Sequence, residues 1–193
     1  MLSDNATLLV IDVQQGFLDP SWGPRNNPDA EANIARLIVA WRQAGRPVRH
    51  VHHMSRTPAG TFVEGTRGFE TKPEATVAPG EPVHVKRVNS SFIGTTLEQG
   101  LRHTGVDTLV VVGLTTNHCV STTVRMAGNL GFTVYLVEDA CATFDRLGLD
   151  GKMRPAEEVH AAALSDLSEE FATIVSTADM LHALKKPEPL AVG

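Results

Sequence analysis

Three residues of this chain have side chains that could perform chemistry together. Asp12 lies in the apolar run 8–13, where a buried carboxylate needs a partner. Lys86 ends the run Val-His-Val-Lys, and Cys119 follows the segment Gly-Leu-Thr-Thr-Asn-His. A lysine facing the same crevice as the aspartate could keep the carboxylate ionised or lower the pKa of a thiol. The alternatives are that Asp12 caps a turn and that Lys86 is a solvated lysine beyond a strand.

Cys119 stands where a buried strand runs through a short turn into a helix. Free backbone N–H groups at a helix start carry a partial positive charge of about +0.5 and can also stabilise an oxyanion. With a lysine nearby, the position predicts a thiol pKa below its usual value of about 8.5, and alkylation by iodoacetamide well below pH ~8. Cys141 follows a strand, and we expect it to be a packed side chain that reacts slowly.

Strand and helix patterns alternate along the chain. Runs rich in Val, Ile and Leu predict strands at 8–13, 48–51, 83–86, 109–113, 134–137 and 172–175. Apolar spacing and end signals predict helices over 30–44, from 116 or 117 to about 130, from Pro155 onward, and from 176 or 177 to about 184. Repeated strand–helix–strand units predict an α/β fold with a parallel sheet and helices on both faces.

No linker divides the sequence, so we expect one domain over residues 1–193 with a solvated tail from about residue 185. The segments 14–29 and 55–82 have no periodic pattern. They follow the first and second strands, at the carboxyl ends where parallel sheets place ligands. Lys86 gains importance if its strand end points at the same crevice as Asp12.

Composition excludes several functions. The chain has 193 residues, 42% hydrophobic and 20% charged residues, and a net charge of −5. That charge argues against binding to nucleic acid or to an anionic membrane surface. The N-terminus has no basic leader, and no apolar run approaches the ~20 residues of a membrane span. We expect a cytoplasmic protein with two reduced cysteines and a small-molecule partner.

The sequence around these residues resembles the isochorismatase-like cysteine hydrolase superfamily. The similarity rests on Leu-Leu-Val-Ile-Asp-Val-Gln-Gln-Gly-Phe, on Lys86 after the third strand, and on Gly-Leu-Thr-Thr-Asn-His-Cys-Val, and it covers residues 6 to about 184. It implies a three-layer α/β/α fold on a six-stranded parallel sheet and a catalytic triad of Asp12, Lys86 and Cys119. It also implies a cis peptide bond at Leu114–Thr115 and an oxyanion hole formed by the N–H groups of Thr115 and Cys119. Members of the family are commonly dimers or tetramers, so a homo-oligomer is expected.

The resemblance implies hydrolysis of a small amide, ureido or carbamoyl C–N bond through a thioester. Asp12 would take the thiol proton, protonate the leaving amine and then activate water. An alternative is the vinyl ether cleavage of isochorismatases proper, whose members often lack the cysteine. A second alternative is a binding module that retains the fold without turnover.

The histidines predict no metal site and no cofactor. Nicotinamidases of the family bind a metal through Asp-x-His and a further His after the second strand, whereas this chain has His50-Val-His52-His53. Strand alternation places His50 and His52 on one face and His53 on the other, so the three are expected to be packed or exposed. His118 is expected to point away from the neighbouring thiol, and His160 to be a packing or interface residue.

Aromatic and polar residues near the motifs are candidates for substrate contact. These candidates lie in the loop after the first strand, just beyond Lys86, or after the fifth strand: Phe17, Trp22, Asn89, Phe92 and Phe144.

Overall fold

A computed structural model of the chain describes residues 2–185. Its strands are β1 (Thr7–Ile11), β2 (Val48–His53), β3 (Val83–Lys86), β4 (Thr108–Leu114), β5 (Thr133–Ala142), β6 (Arg146–Leu147), β7 (Met153–Arg154) and β8 (Thr173–Val175). Its helices are α1 (Ala30–Gln43), α2 (Leu97–His103), α3 (Ser121–Asn129), α4 (Ala156–Leu167) and α5 (Thr177–Leu184). The predicted tail falls almost wholly beyond residue 185, outside the described residues.

Six strands form one parallel sheet in the order β3-β2-β1-β4-β5-β8, and β6 and β7 form a separate antiparallel pair. The chain builds outward from β1 through β2 to β3, then returns to place β4 on the other side of β1. The connections after β1 and β4 therefore diverge, which opens a crevice at their carboxyl ends.

Alternating side chains of the central strands divide the core into two layers. On β1, Leu8 and Val10 pack with α1 and α5 on one face of the sheet. Leu9 and Ile11 pack with α2 and α3 on the opposite face. Both faces of β1 are thus covered, which explains its continuous apolar sequence.

The predicted α/β fold with a six-stranded parallel sheet is confirmed. No helix within residues 2–185 is long and apolar enough to cross a membrane. Helix α2 was not predicted, because it has only seven residues and contains Gly100. Cys141 lies within β5 rather than after it, and it is fully buried in the core as expected.

The predicted helix from residue 116 begins differently from the expectation. A wide turn over Thr116–Val120 precedes α3, and no side chain caps either the turn or the helix. The N–H of Val120 donates across five residues to the carbonyl of Thr115, at 3.2 Å. This geometry widens the turn that carries Cys119.

Gly113 brings β4 close to β1 shortly before the turn that carries Cys119. It pairs with Ile11 in the sheet and has φ +128°, a conformation that side chains strongly disfavour. A Cβ at this position would overlap the Ile11 carbonyl oxygen, which is backbone and cannot rotate away. A glycine is therefore required where the strands flanking the crevice end.

We expect Gly113→Ala to lower the free energy of unfolding by at least about 3 kcal/mol, because strain and a backbone overlap add. Gly45→Ala is the matched control, since Gly45 also has positive φ but a Cβ there would meet nothing within 4 Å. Its cost should be only ~1 kcal/mol. Equal losses for the two variants in urea denaturation would contradict the close approach of β4 to β1.

Candidate active site

The carboxyl ends of three strands bring the predicted triad together. Asp12 directly follows β1, Lys86 is the last residue of β3, and Cys119 lies in the turn after β4. Asp12 has a left-handed φ of +52°, and its N–H donates to the Val51 carbonyl on β2 at 2.8 Å. The backbone thus turns at Asp12 while remaining attached to the neighbouring strand, and the carboxylate is directed into the crevice.

Lys86 and Asp12 form a fully buried ion pair. Lys86 Nζ lies 2.6 Å from Asp12 Oδ2, and neither side chain is exposed to solvent. Burial raises the pKa of Asp12, and the charge and hydrogen bond of Lys86 lower it again in part. The other carboxylate oxygen, Oδ1, has no hydrogen-bond partner among residues 2–185. One oxygen is therefore held by the ammonium while the other can accept a proton.

His53, which we expected to be packed or exposed, belongs to this cluster. It is the register partner of Lys86 on the neighbouring strand, and Lys86 Nζ lies 3.2 Å from His53 Nδ1. An ammonium only donates, so Nδ1 must accept and Nε2 carries the imidazole hydrogen. Burial, and then the charge of Lys86, lower the pKa of His53 to about 4, so the ring is neutral at neutral pH.

Gln14 fixes the backbone beside His53. Its buried amide accepts from the His53 N–H at 2.7 Å and donates to the carbonyls of His53, at 3.1 Å, and Phe69, at 2.9 Å. These bonds join the loop after β1 to the end of β2. Gln14 stands two residues after Asp12 in the motif, and a fully buried amide with three backbone bonds explains why this residue type occurs there.

The donor atoms of Asp12, His53 and Cys119 lie within 4.8 Å of one another. Carboxylate, imidazole and thiolate are all ligands of Zn²⁺. The ammonium of Lys86 already contacts Asp12 and His53, so a metal cation would have to displace it. His50 and His52 bond elsewhere, to Glu81 at 2.8 Å and Thr71 at 3.0 Å, so the histidines of β2 do not converge.

The turn that carries Cys119 is anchored on both sides. The hydroxyl of Thr116 lies 2.8 Å from Nδ1 of buried His160 on α4, which gives that histidine the packing role expected of it. The hydroxyl of Thr143 donates to Asn117 Oδ1 at 2.6 Å. These contacts fix the turn against α4 and the end of β5.

Two backbone features lie beside this turn. The Leu114–Thr115 peptide bond is cis in the structure. The carbonyl of Thr115 accepts from the N–H groups of His118 and Val120 at 3.1 and 3.2 Å. Neither of these bonds uses the N–H of Cys119.

The expectation of a lowered pKa for the Cys119 thiol is wrong. Burial, and then the negative charge of Asp12, raise its pKa to about 12, and Lys86 only partly opposes them. The sequence showed the helix start and the lysine but not the degree of burial or the distance to the carboxylate. In the resting site the sulfur therefore keeps its proton until a base removes it.

A cavity of about 140 Å³ opens above the thiol. It is lined by the triad residues Asp12 and Cys119, by aromatic rings and by polar groups, namely Phe17, Trp22, His53, Phe62, Asn89, Thr115 and His118. An adjoining cavity of about 210 Å³ shares Trp22, Thr115 and His118 and adds Phe144.

Three of the five predicted substrate-contact residues line the cavity at the thiol, and a fourth lines its neighbour. Phe92 does not belong with them, because its ring packs against Phe132 in the core with centroids 5.9 Å apart. His118 lines both cavities, contrary to the expectation that it points away. Phe62 and His53 were not predicted.

We expect Asp12→Asn to increase the alkylation rate of Cys119 by iodoacetamide at neutral pH. Removing the carboxylate charge removes one cause of the raised thiol pKa. Rates are measured by mass spectrometry of the peptide containing Cys119, with fully buried Cys141 as the internal control. A slower reaction in the variant would show that Asp12 does not hold the thiol protonated.

Comparisons with known proteins identify the family of the chain. A sequence model of the isochorismatase domain matches residues 6–179. The chain is 41% identical over 181 residues to the isochorismatase family protein YrdC of Bacillus subtilis, covering 94% of this chain and 97% of YrdC. It is 31% identical over 193 residues to Nicotinamidase 3 of Arabidopsis thaliana, covering 93% of this chain and 88% of that protein.

A solved structure gives the same result. The chain is similar to a crystal structure from Chromobacterium violaceum that is described as a hydrolase of the isochorismatase family. The TM-score is 0.93 and the sequence identity 49%, with 95% of each chain covered. The family match spans both strands that flank the crevice and all three residues that meet there. This chain belongs to the isochorismatase family and is a hydrolase of that family.

Proposed function

We propose that the protein hydrolyses a C–N bond of a small amide, ureido or carbamoyl compound through a thioester on Cys119. The observation that carries the proposal is the convergence of a half-buried thiol, a buried carboxylate with one unpartnered oxygen and a buried ammonium. Folding does not require these three groups to meet, because a buried ion pair is rarely better than apolar packing.

The first half of the reaction forms the thioester. Asp12 Oδ1 takes the thiol proton as the sulfur attacks the carbonyl carbon, and a C–S bond forms. The N–H groups of Thr115 and Cys119 stabilise the resulting oxyanion. The C–N bond then breaks, and the nitrogen leaves with the proton that Asp12 had taken.

The second half returns the enzyme to its starting state. Asp12 takes a proton from water as the water oxygen attacks the thioester carbon. The C–S bond breaks, and the sulfur recovers a proton from Asp12. Lys86 keeps its charge throughout and stabilises the carboxylate each time it forms.

The cavity supports a small substrate. Its volume of about 140 Å³ is well below the ~300 Å³ at the lower end of drug-sized sites. Phe17 lies between other aromatic rings of the wall, 5.1 Å from Trp22 and 4.8 Å from Phe62 by centroid distance. These rings suit a flat or apolar group, and Asn89 and His53 provide polar contacts on the wall.

A relative named nicotinamidase supports amide chemistry over vinyl ether cleavage, as does the presence of the cysteine. Nicotinamide itself is a less suitable substrate here, because the metal-binding histidine pattern expected of nicotinamidases is absent from residues 2–185.

The proposal is tested by screening small amides, ureas and carbamoyl compounds for ammonia release, with and without a chelator. We expect Cys119→Ala to reduce turnover of any substrate found by at least about a thousandfold. Cys141→Ala, which removes the other thiol, should stay within about tenfold of the parent. A Cys119→Ala variant that keeps its rate would exclude thioester chemistry and favour acid-driven cleavage.

The pH profile provides a separate test. Burial raises the pKa of Asp12, and protonation of this base stops the reaction. We therefore expect kcat/KM to fall as the pH is lowered, with a midpoint above the ordinary carboxyl pKa of about 3.9. A profile that stays flat down to that value would exclude Asp12 as the base.

A further inference from the structure

A further cavity, separate from the two at the catalytic crevice, lies between the edge of the sheet and α2. Its volume is about 500 Å³, and its lining includes Arg49, His84, Thr96, Gln99, Gly100 and His103. We call it the edge groove. Within the part of the chain that the structure describes, no Asp or Glu lines it. A groove whose described lining has an arginine, two histidines and no carboxylate is unexpected in a chain whose net charge is −5.

Arg49 is a buried cation without a counter-charge. Its side chain is on β2 and is only 8% exposed. One guanidinium nitrogen, Nη2, donates to the Gly100 carbonyl at 3.2 Å, but Nε has no hydrogen-bond partner. No carboxylate among residues 2–185 forms an ion pair with it. A buried, unpaired guanidinium is costly, so an anion from outside would be strongly favoured there.

His84 provides a second unpartnered nitrogen in the same groove. It is 7% exposed, and its Nε2 has no hydrogen-bond partner. The hydroxyl of Thr96 lies 3.4 Å from His84 Nδ1, and when that hydroxyl donates, Nε2 carries the hydrogen. His84 can then donate alongside Arg49.

Gly100 leaves the space that the guanidinium occupies. A Cβ at this position on α2 would lie 2.9 Å from Arg49 Nη1. The glycine weakens a short helix by roughly 1 kcal/mol compared with alanine, yet it admits the cation between helix and sheet. The local sequence therefore favours placement of this charge over helix stability.

We propose that the edge groove binds a small oxyanion, a phosphate or carboxylate group, through the guanidinium of Arg49 and the imidazole of His84. Guanidinium and imidazole donors suit such oxygen atoms, and their hydrogen bonds to an anion are charge-assisted. The site is separate from the catalytic crevice. Arg49 lies near the amino end of β2, four residues or roughly 13 Å along the strand from His53.

The test is calorimetric titration and thermal melting with sodium phosphate, and separately with sodium acetate, against sodium chloride at matched ionic strength. We expect saturable binding and a rise in melting temperature with at least one of the two anions. Phosphate alone or acetate alone would identify the favoured oxygen group, and either result supports the site.

Arg49→Met should weaken binding by at least about tenfold, because it removes the charged donor. The same variant should melt at a higher temperature without ligand, because an unpaired buried charge is gone. Arg36→Met is the matched control, since Arg36 is an exposed cation on α1 across the sheet, and it should bind like the parent. If Arg49→Met does not fold, His84→Leu replaces it and should weaken binding severalfold.

Three results would overturn the proposal. One is stabilisation by phosphate and acetate no greater than by chloride. Another is equal binding by Arg49→Met and Arg36→Met. The third is self-association that depends on Arg49 without saturable anion binding, which would assign the groove to a contact between copies of the chain. Alkylation of Cys119 should be unchanged in Arg49→Met, so the outcome does not depend on the proposed hydrolase chemistry.

Discussion

The buried pair between Lys86 and Asp12 is the constraint on which the site depends. Its two groups lie 2.6 Å apart and are completely removed from water, so each would be strongly destabilising without the other. Because the pair is internally neutral, it can lie in the same dry crevice as a thiol. The ammonium also holds one carboxylate oxygen and leaves the other for proton transfer. Gln14 fixes the end of β2, the strand that lies between those leading to Asp12 and Lys86. Gly113 lets β4, which leads to Cys119, approach the strand that ends at Asp12.

Much of the fold followed from the sequence, because the apolar runs of buried parallel strands and the helix end signals are local patterns. The meeting of Asp12, Lys86 and Cys119 was also predictable, since these residues lie at or just after strand ends within recognisable motifs. The sequence did not predict that His53 lies beside Lys86 in the site. Alternation placed it correctly on the face opposite His50, but only the pairing of β2 with β3 reveals that its partner is Lys86. Phe62 could not be placed, because it lies in a long loop without periodicity.

The thiol pKa illustrates a different limit. The sequence identified two groups that favour a thiolate, the helix start and the lysine. Burial and the Asp12 carboxylate oppose them, and their strength depends on distances that no sequence pattern contains. Because the pKa of the Cys119 thiol is raised rather than lowered, the sulfur carries its proton in the resting site. In the proposed mechanism its activation is coupled to proton transfer, so a substrate that does not reach the carboxylate would meet an unreactive thiol.

The position of Lys86 on β3 has a consequence for how the protein loses activity. This strand has four residues, pairs only with β2, and exposes Val83 and Val85 at the border of the sheet. Border strands with one neighbour open more readily than central strands in local unfolding. Fraying of β3 would withdraw the ammonium from the crevice while both core layers stayed packed. Loss of the site on heating would thus begin at a border strand of the sheet rather than in its core.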